Sequence, residues 1–304
     1  MDIQIPDFKI VNEFLKGKIH RTPVLSSSLL NTHFGSELFF KAEPFQRGGS
    51  FKIRGALWAL HQQMQQGEIT KIGTHSSGNF AQAIAIAGKQ AGLETHIVMP
   101  ENSPQVKIAA VKGYGATVHL CESTIEARES TLANLVDKLQ LTPFHPYDDW
   151  DIMAGQGTAA LELLEEVPDL DYIIAPVGGG GLISGTLMAC KDTQVKVLGA
   201  EPVNANDAYR GLLEGERITQ QTPHTCADGL RTLVGVRNFA VMQGFNLQIR
   251  CVTEEEILAA QNLLLSRLKV VVETSSASTL ASLMAHPIEG KKVGLILSGG
   301  NVDF

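Results

Sequence analysis

Residues 171–190 read DYIIAPVGGGGLISGTLMAC: an apolar run, four glycines, and then a stretch with helical spacing. The run ending at Val177 has the length and apolar content of a buried strand. Gly178 to Gly181 carry no side chains, so a ligand can approach the backbone closely. The helix that follows presents unpaired N–H groups and the positive end of its dipole. This is the outline of an anion cradle, with a tight strand-to-helix turn as the alternative reading. It is not one of the usual nucleotide loops. Ile183 stands where the third glycine of GxGxxG would fall, and no GK[ST] ending follows.

The same alternation runs outward in both directions. Towards the N-terminus, THIVMP (95–100) and ATVHL (116–120) are short apolar runs, each preceded by a stretch with helical spacing. SELFFKAEP (36–44) reads as a strand ended by Pro44, and the spacing predicts helices near Phe8–Leu15 and over Ala56–Gln65. Towards the C-terminus, VKVLGAEP (195–202) and KKVGLILSGG (291–300) repeat the strand pattern. Helices alternating with buried strands define an α/β protein with mainly parallel sheets. There is no repeat, low-complexity segment or long polar linker, so any division into domains is made by the chain crossing between sheets. LTPFHPYDDWD (141–151) and GEITKIG (67–73) are the expected crossings.

Two further loops follow strand-like runs: LILSGGN (295–301) and GTHSSGNFAQAIAIAG (73–88), in which Ser76, Ser77, Gly78 and Asn79 precede a helix. N-capping accounts for one polar residue there but hardly for the cluster. In α/β folds such loops converge beyond the carboxyl ends of the strands, where ligands bind. A cofactor with a phosphate and a polar ring would use all three. Lys52, in GGSFKIRGA (48–56), is framed by Phe51 and Ile53 and either snorkels to solvent or does chemistry. A phosphate-bearing aldehyde anchored nearby gives it a role as a nucleophilic lysine.

Composition narrows the partners. The 304 residues, 44% hydrophobic and 19% charged, describe a globular chain with an ample core, and the formal charge of −7 argues against nucleic acid. Cys121, Cys190, Cys226 and Cys251 lie far apart with no CxxC pair, which suggests reduced thiols. No signal peptide or membrane-spanning run is recognised, so a cytoplasmic location is expected.

SFKIRGA, SSGN, AGQGTAALELL, GGGGLISG, EPVNANDAY, ADGL and LSGGN occur in this order. Together they resemble the fold-type II pyridoxal-phosphate enzymes, specifically the serine/threonine dehydratase and serine racemase family. MPENSPQVKIAAVKGYGATV (99–118) and VTEEEI (252–257) extend the resemblance over nearly the whole chain. It implies a tryptophan synthase beta-like fold with the active site in a cleft between two α/β domains. The large domain would comprise residues 1–70 and 148–304 and the small one 71–147, and a homodimer is expected.

The resemblance also implies roles. Lys52 would carry pyridoxal phosphate and transfer protons, with Phe51 packed against the cofactor ring and Asn79 bonded to its 3′-oxygen. Gly178, Gly179, Gly180 and Gly181 would hold the phosphate. Ser298 would face the ring nitrogen, where a hydroxyl makes a weaker electron sink than a carboxylate would. That suits β-elimination or racemisation better than transamination. Ser76 to Asn79 would bind the substrate carboxylate. Ser77 either caps the helix or stands across the cofactor from Lys52 as the second base of a racemase. Arg128 and Thr232 match positions near the substrate, although Arg128 also reads as a solvated helix charge paired with Glu129. Glu201, Asp207 and the carbonyl of Ala205 match the ligands of a magnesium or calcium ion.

The chain departs from the family at Phe80, where histidine commonly follows SSGN, and at Tyr147, where serine racemases carry asparagine after HP. Both fall in the expected substrate region, as packing changes or as marks of a different substrate. Four residues follow Gly300, so a C-terminal regulatory domain is not expected. Elimination of water from a small β-hydroxy amino acid (serine, threonine or a hydroxyaspartate) is the first expectation. Amino-acid racemisation (serine or aspartate) is the second, and non-catalytic binding of a phosphorylated ligand the third.

Overall fold

The computed structural model describes residues 2–302, the side chain of Val106 excepted. Ten strands form two sheets. β1 (Val24–Leu25), β2 (Glu37–Ala42), β7 (Tyr172–Pro176), β8 (Lys196–Pro202), β9 (Gln248–Val252) and β10 (Lys292–Leu297) make one, in the order β1-β2-β10-β7-β8-β9. Every pairing in it is parallel except β1 with β2. β3 (Lys71–His75), β4 (Glu94–Pro100), β5 (Thr117–Cys121) and β6 (Thr142–Pro143) make the other, wholly parallel, in the order β5-β4-β3-β6.

The chain enters the smaller sheet at Lys71 and leaves it after Pro143. The strands of the smaller sheet all lie between Lys71 and Pro143. The packing is less tidy than the strand order. Ile53, Leu57 and Trp58 of the helix Lys52–Gln66, with Val11 and Leu15, share one core with Ile72, Phe80 and Ile97 of the small-sheet region. The expected boundary at 70/71 therefore follows the sheets and not the hydrophobic core. β9 and β3 were not anticipated: QIRCV and KIGTH carry charged or polar residues at alternate positions and lack a long apolar run.

The motif AGQGT sets the geometry around the site. Asp149 starts the helix Trp150–Glu166 by accepting the N–H groups of Asp151 and Ile152 at 2.8 and 3.0 Å. A Cβ added to Gly155 would fall 2.5 Å from the carbonyl oxygen of Arg54, and one added to Gly157 would fall 2.5 Å from that of Gly185. Glycine at these places lets three helices meet backbone to backbone. The Lys52 helix lies on one side of Trp150–Glu166 and Gly181–Ala189 lies on the other.

A buried ion cluster fastens the first of these contacts. Arg54 is wholly buried and chelates two carboxylates, Glu43 (2.8 Å from Nε and Nη2) and Glu162 (2.8 Å from Nη1 and Nη2). Lys41 Nζ reaches Glu162 at 2.7 Å, and Thr22 donates to Glu43 at 2.6 Å. Two cations and two anions thus neutralise one another out of contact with water.

Candidate active site

Lys52 opens its helix just after a backbone bridge between Ser50 and Gly299, and Phe51 N–H donates to Ser298 O at 3.0 Å. These links fix the lysine against the end of β10. Its Nζ donates to Pro146 O at 3.1 Å and lies 5.1 and 5.9 Å from the ring centroids of Phe51 and Phe80. Burial lowers its pKa from 10.5 to about 8, against a smaller opposing pull from Glu273. Phe80 is 2% exposed and belongs to the core. Its ring stands close to the Lys52 amine while packing into that core.

The glycine loop has the properties of an anion cradle. Gly178 to Gly181 are buried, and among the described residues their N–H groups donate to no protein acceptor. Gly180 has φ of +96°, which favours glycine, and caps the helix Gly181–Ala189. The Tyr147 ring covers the loop: a Cβ on Gly179 would lie 2.4 Å from ring carbons. Free buried N–H groups of this kind could receive an anion, and a side chain on Gly179 would displace that ring. The residues present fit a phosphate-bearing cofactor.

Asn79 is held rigidly. Its Nδ2 donates to both carboxylate oxygens of Glu273 (2.8 and 3.1 Å), and its Oδ1 accepts from Asn301 Nδ2 at 2.8 Å. Burial raises the Glu273 pKa to about 7 despite the hydrogen bond from Asn79. Ser298 Oγ lies 3.0 Å from Ser276 Oγ, which also bonds the backbone of Gly299.

In the SSGN loop, Ser76 Oγ accepts Gly78 N–H at 3.3 Å, and Gly78 itself occupies the N-cap position. No side chain caps this helix, neither that of Ser76 nor that of Ser77. Among the described residues the half-buried Ser77 hydroxyl makes no hydrogen bond. Arg128 and Glu129 both act electrostatically on His75. Arg128 Nε is buried without a hydrogen-bond partner, and no Arg128–Glu129 ion pair occurs among the described residues. Thr232 is exposed, and the Tyr147 phenol is pushed up to about 12, chiefly by burial and then by Asp148. It stays protonated at neutral pH and can donate.

Glu201 and Asp207 are both buried. Glu201 accepts the N–H groups of Ala208 and Tyr209 at 3.1 and 2.9 Å, and Asp207 accepts that of Val234 at 2.8 Å. Burial raises both carboxyl pKa values, and Asp207 raises Glu201 further. Two carboxylates beside the carbonyl of buried Ala205 are oxygen donors of the type that could hold a hard divalent cation. No group of three or more His, Cys, Asp or Glu side chains suited to a metal occurs among the described residues.

Three participants escaped sequence reading. Glu273, in VVVETSS, gave no functional signal in the sequence. His145, held near pKa 4 by burial, accepts the N–H groups of Tyr147 and Asp148 at Nδ1 (3.3 and 2.8 Å) and so carries its proton on Nε2. Gln156 lay in a motif read only for its resemblance.

A lysine of lowered pKa set beside an empty-handed row of buried N–H groups, at the carboxyl ends of parallel strands, defines a pyridoxal-phosphate enzyme. Comparisons with known proteins agree. Residues 15–299 match the model of the pyridoxal-phosphate dependent enzyme family, and the chain belongs to that family. It is 44% identical to a serine racemase of Dictyostelium discoideum, over 99% of this chain and 96% of that one, and the crystal structure of that enzyme superposes with a TM-score of 0.93. A beta-hydroxyaspartate dehydratase of Paracoccus denitrificans is 38% identical over 98% of this chain and 96% of its own. The crystal structure of a T.th. threonine deaminase, 39% identical, covers 98% of both chains with a TM-score of 0.93.

Proposed function

We propose that the chain is an amino-acid racemase of the serine class that also eliminates water from β-hydroxy amino acids. The sequence reading set elimination first; the serine racemases among the relatives favour the reverse order. The observation that supports the proposal is the half-buried Ser77 hydroxyl, which caps no helix and makes no hydrogen bond among the described residues, leaving it available as a second base. Inversion needs a proton donor and a proton acceptor on opposite faces of the α-carbon, whereas elimination needs the lysine face alone.

Bound pyridoxal phosphate supplies an electron sink for the α-carbon of an amino acid. The chain supplies the rest. The glycine loop orients the phosphate, and Glu273 with Asn301 fixes the Asn79 amide. The N–H groups at the start of the helix Asn79–Ala91 bind the substrate carboxylate. Lys52, neutral for an appreciable part of the time near pH 8, takes or returns the α-proton on one face, and Ser77 serves the other. Tyr147 and Thr232 place two hydroxyls near the substrate side chain.

Ser77→Ala is expected to lower inversion of serine by about 100-fold or more while leaving 2-oxo acid release from the L-substrate within a few-fold. Chiral analysis of the recovered amino acid, beside 2-oxo acid release in the same samples, makes the measurement. Equal loss of both activities would show that Ser77 positions substrate or cofactor, and the two-base proposal would fall.

Glu201, Asp207 and the Ala205 carbonyl would hold magnesium or calcium in a structural role. A cation bound only by the native state adds stability, so a chelator should lower the melting temperature by on the order of 5 °C, and added divalent cation should restore it. An unchanged melting temperature under both treatments removes the metal from the account.

A further inference from the structure

Gln156 lies on the helix Trp150–Glu166 and is wholly buried, yet neither its Oε1 nor its Nε2 has a hydrogen-bond partner. A buried amide left unpaired at both ends is costly, and native structures retain few of them. Its position is informative. A Cβ added to Gly181, the first residue of the glycine-loop helix, would fall 2.3 Å from Gln156 Oε1. One added to Gly55 would fall 3.3 Å from Nε2. The amide is therefore wedged between the start of the anion-cradle helix and the Lys52 helix. Beside it the N–H groups of Gly178 to Gly181 also lack acceptors among the described residues.

Asn238, the other buried amide under this loop, has an unpaired Oδ1. It packs against Gly180, but its Nδ2 donates to Tyr147 O at 3.2 Å and so fixes its orientation. Gln156 has no such anchor. A half-turn of its amide exchanges oxygen and nitrogen without breaking a hydrogen bond, and turns the NH2 group towards Gly181.

We propose that Gln156 is the side-chain donor of the cradle, a positioning residue whose amide pairs with an anionic phosphate group held at Gly178–Gly181. The assignment rests on the pyridoxal-phosphate reading of the same loop. It explains why this buried polar side chain, unlike Arg54, Thr158 and Glu162 on the same helix contact, has no partner within the protein. It also makes the free protein carry a strained pair, an unsatisfied amide beside unsatisfied N–H groups, that one phosphate relieves.

The test compares pyridoxal phosphate with pyridoxal, which lacks the phosphate, by absorbance titration of the cofactor-free protein. Gln156→Met keeps the length and removes the amide; Gln156→Asn keeps the amide and shortens its reach. Both should weaken pyridoxal phosphate by about 10- to 100-fold, the range of one hydrogen bond to a charged group, and leave pyridoxal within about twofold. Cofactor-free Gln156→Met should melt at or above the wild type, because an apolar group of similar shape replaces an unpaired polar one. Inorganic phosphate should raise the wild-type melting temperature more than that of either variant. If both variants keep the wild-type preference for the phosphorylated ligand, or weaken both ligands equally, the amide serves packing or a trapped water and the proposal is overturned. If the wild type shows no preference for pyridoxal phosphate over pyridoxal, the cofactor reading itself fails.

Discussion

Lys52→Ala is expected to give a protein that is colourless after desalting and has lost activity by about 10⁴-fold or more, because one residue both retains the cofactor and moves the α-proton. In the wild type, borohydride should fix the cofactor to a single peptide containing Lys52. The lowered pKa of the lysine adds a second expectation. A fall from 10.5 to about 8 raises the neutral, nucleophilic fraction near pH 7 by about 300-fold over an ordinary lysine. Cofactor capture by the free protein should therefore speed up as pH rises through about 8 and level off above it. Covalent retention in the alanine variant, or capture that keeps accelerating to pH 10 and beyond, would place the reacting amine elsewhere.

The largest effect on stability is expected at Arg54. Arg54→Leu strands Glu43 and Glu162 in the core with only Lys41 left to compensate, and breaking a buried pair in this way costs about 3–5 kcal/mol. Arg54→Lys should fall between Arg54→Leu and the wild type, since it keeps the charge and loses both bidentate contacts. Urea unfolding of the cofactor-free forms measures this, and a loss below about 1 kcal/mol would show that the cluster relaxes or hydrates. The cluster also sets an acid limit. Burial, the largest single influence, raises the Glu162 pKa, but the hydrogen bonds and charges of Arg54 and Lys41 together outweigh it, and the net value is lowered from 4.5. A carboxylate held below its unfolded value adds stability above that unfolded value and loses it as pH falls through the folded one. This contribution should thus be intact at neutral pH and disappear below about 4.5 in the wild type, and should be missing from Arg54→Leu throughout.

Local pattern was enough for much of the fold. The apolar runs at 95–100, 116–120, 171–177, 195–202 and 291–300 became parallel strands because length and apolar content alone identify a buried strand. Proline and acidic residues at 141–151 marked where the chain leaves the small sheet. Four consecutive glycines, with a helix after them, marked a candidate anion site without any structure. Lys52 stood out as the candidate reacting amine too, through its apolar frame and the company of three loops.

Other features depend on residues distant in sequence, and only the tertiary structure decided them. Nothing in VVVETSS says that Glu273 grips Asn79 from 194 positions away. Nothing in SFKIRGA says that Arg54 meets Glu162 at a separation of 108. Phe80 and Tyr147 looked alike on paper, two aromatics replacing polar groups. The fold sends one into the core and lays the other across the glycine loop. The reason is physical. Strand and helix formation follow side-chain periodicity and backbone freedom, which neighbours in sequence determine. A pKa, a hydrogen-bond partner or an unpaired amide follows from burial and from what the fold brings within about 3 Å, which neighbours in sequence do not determine.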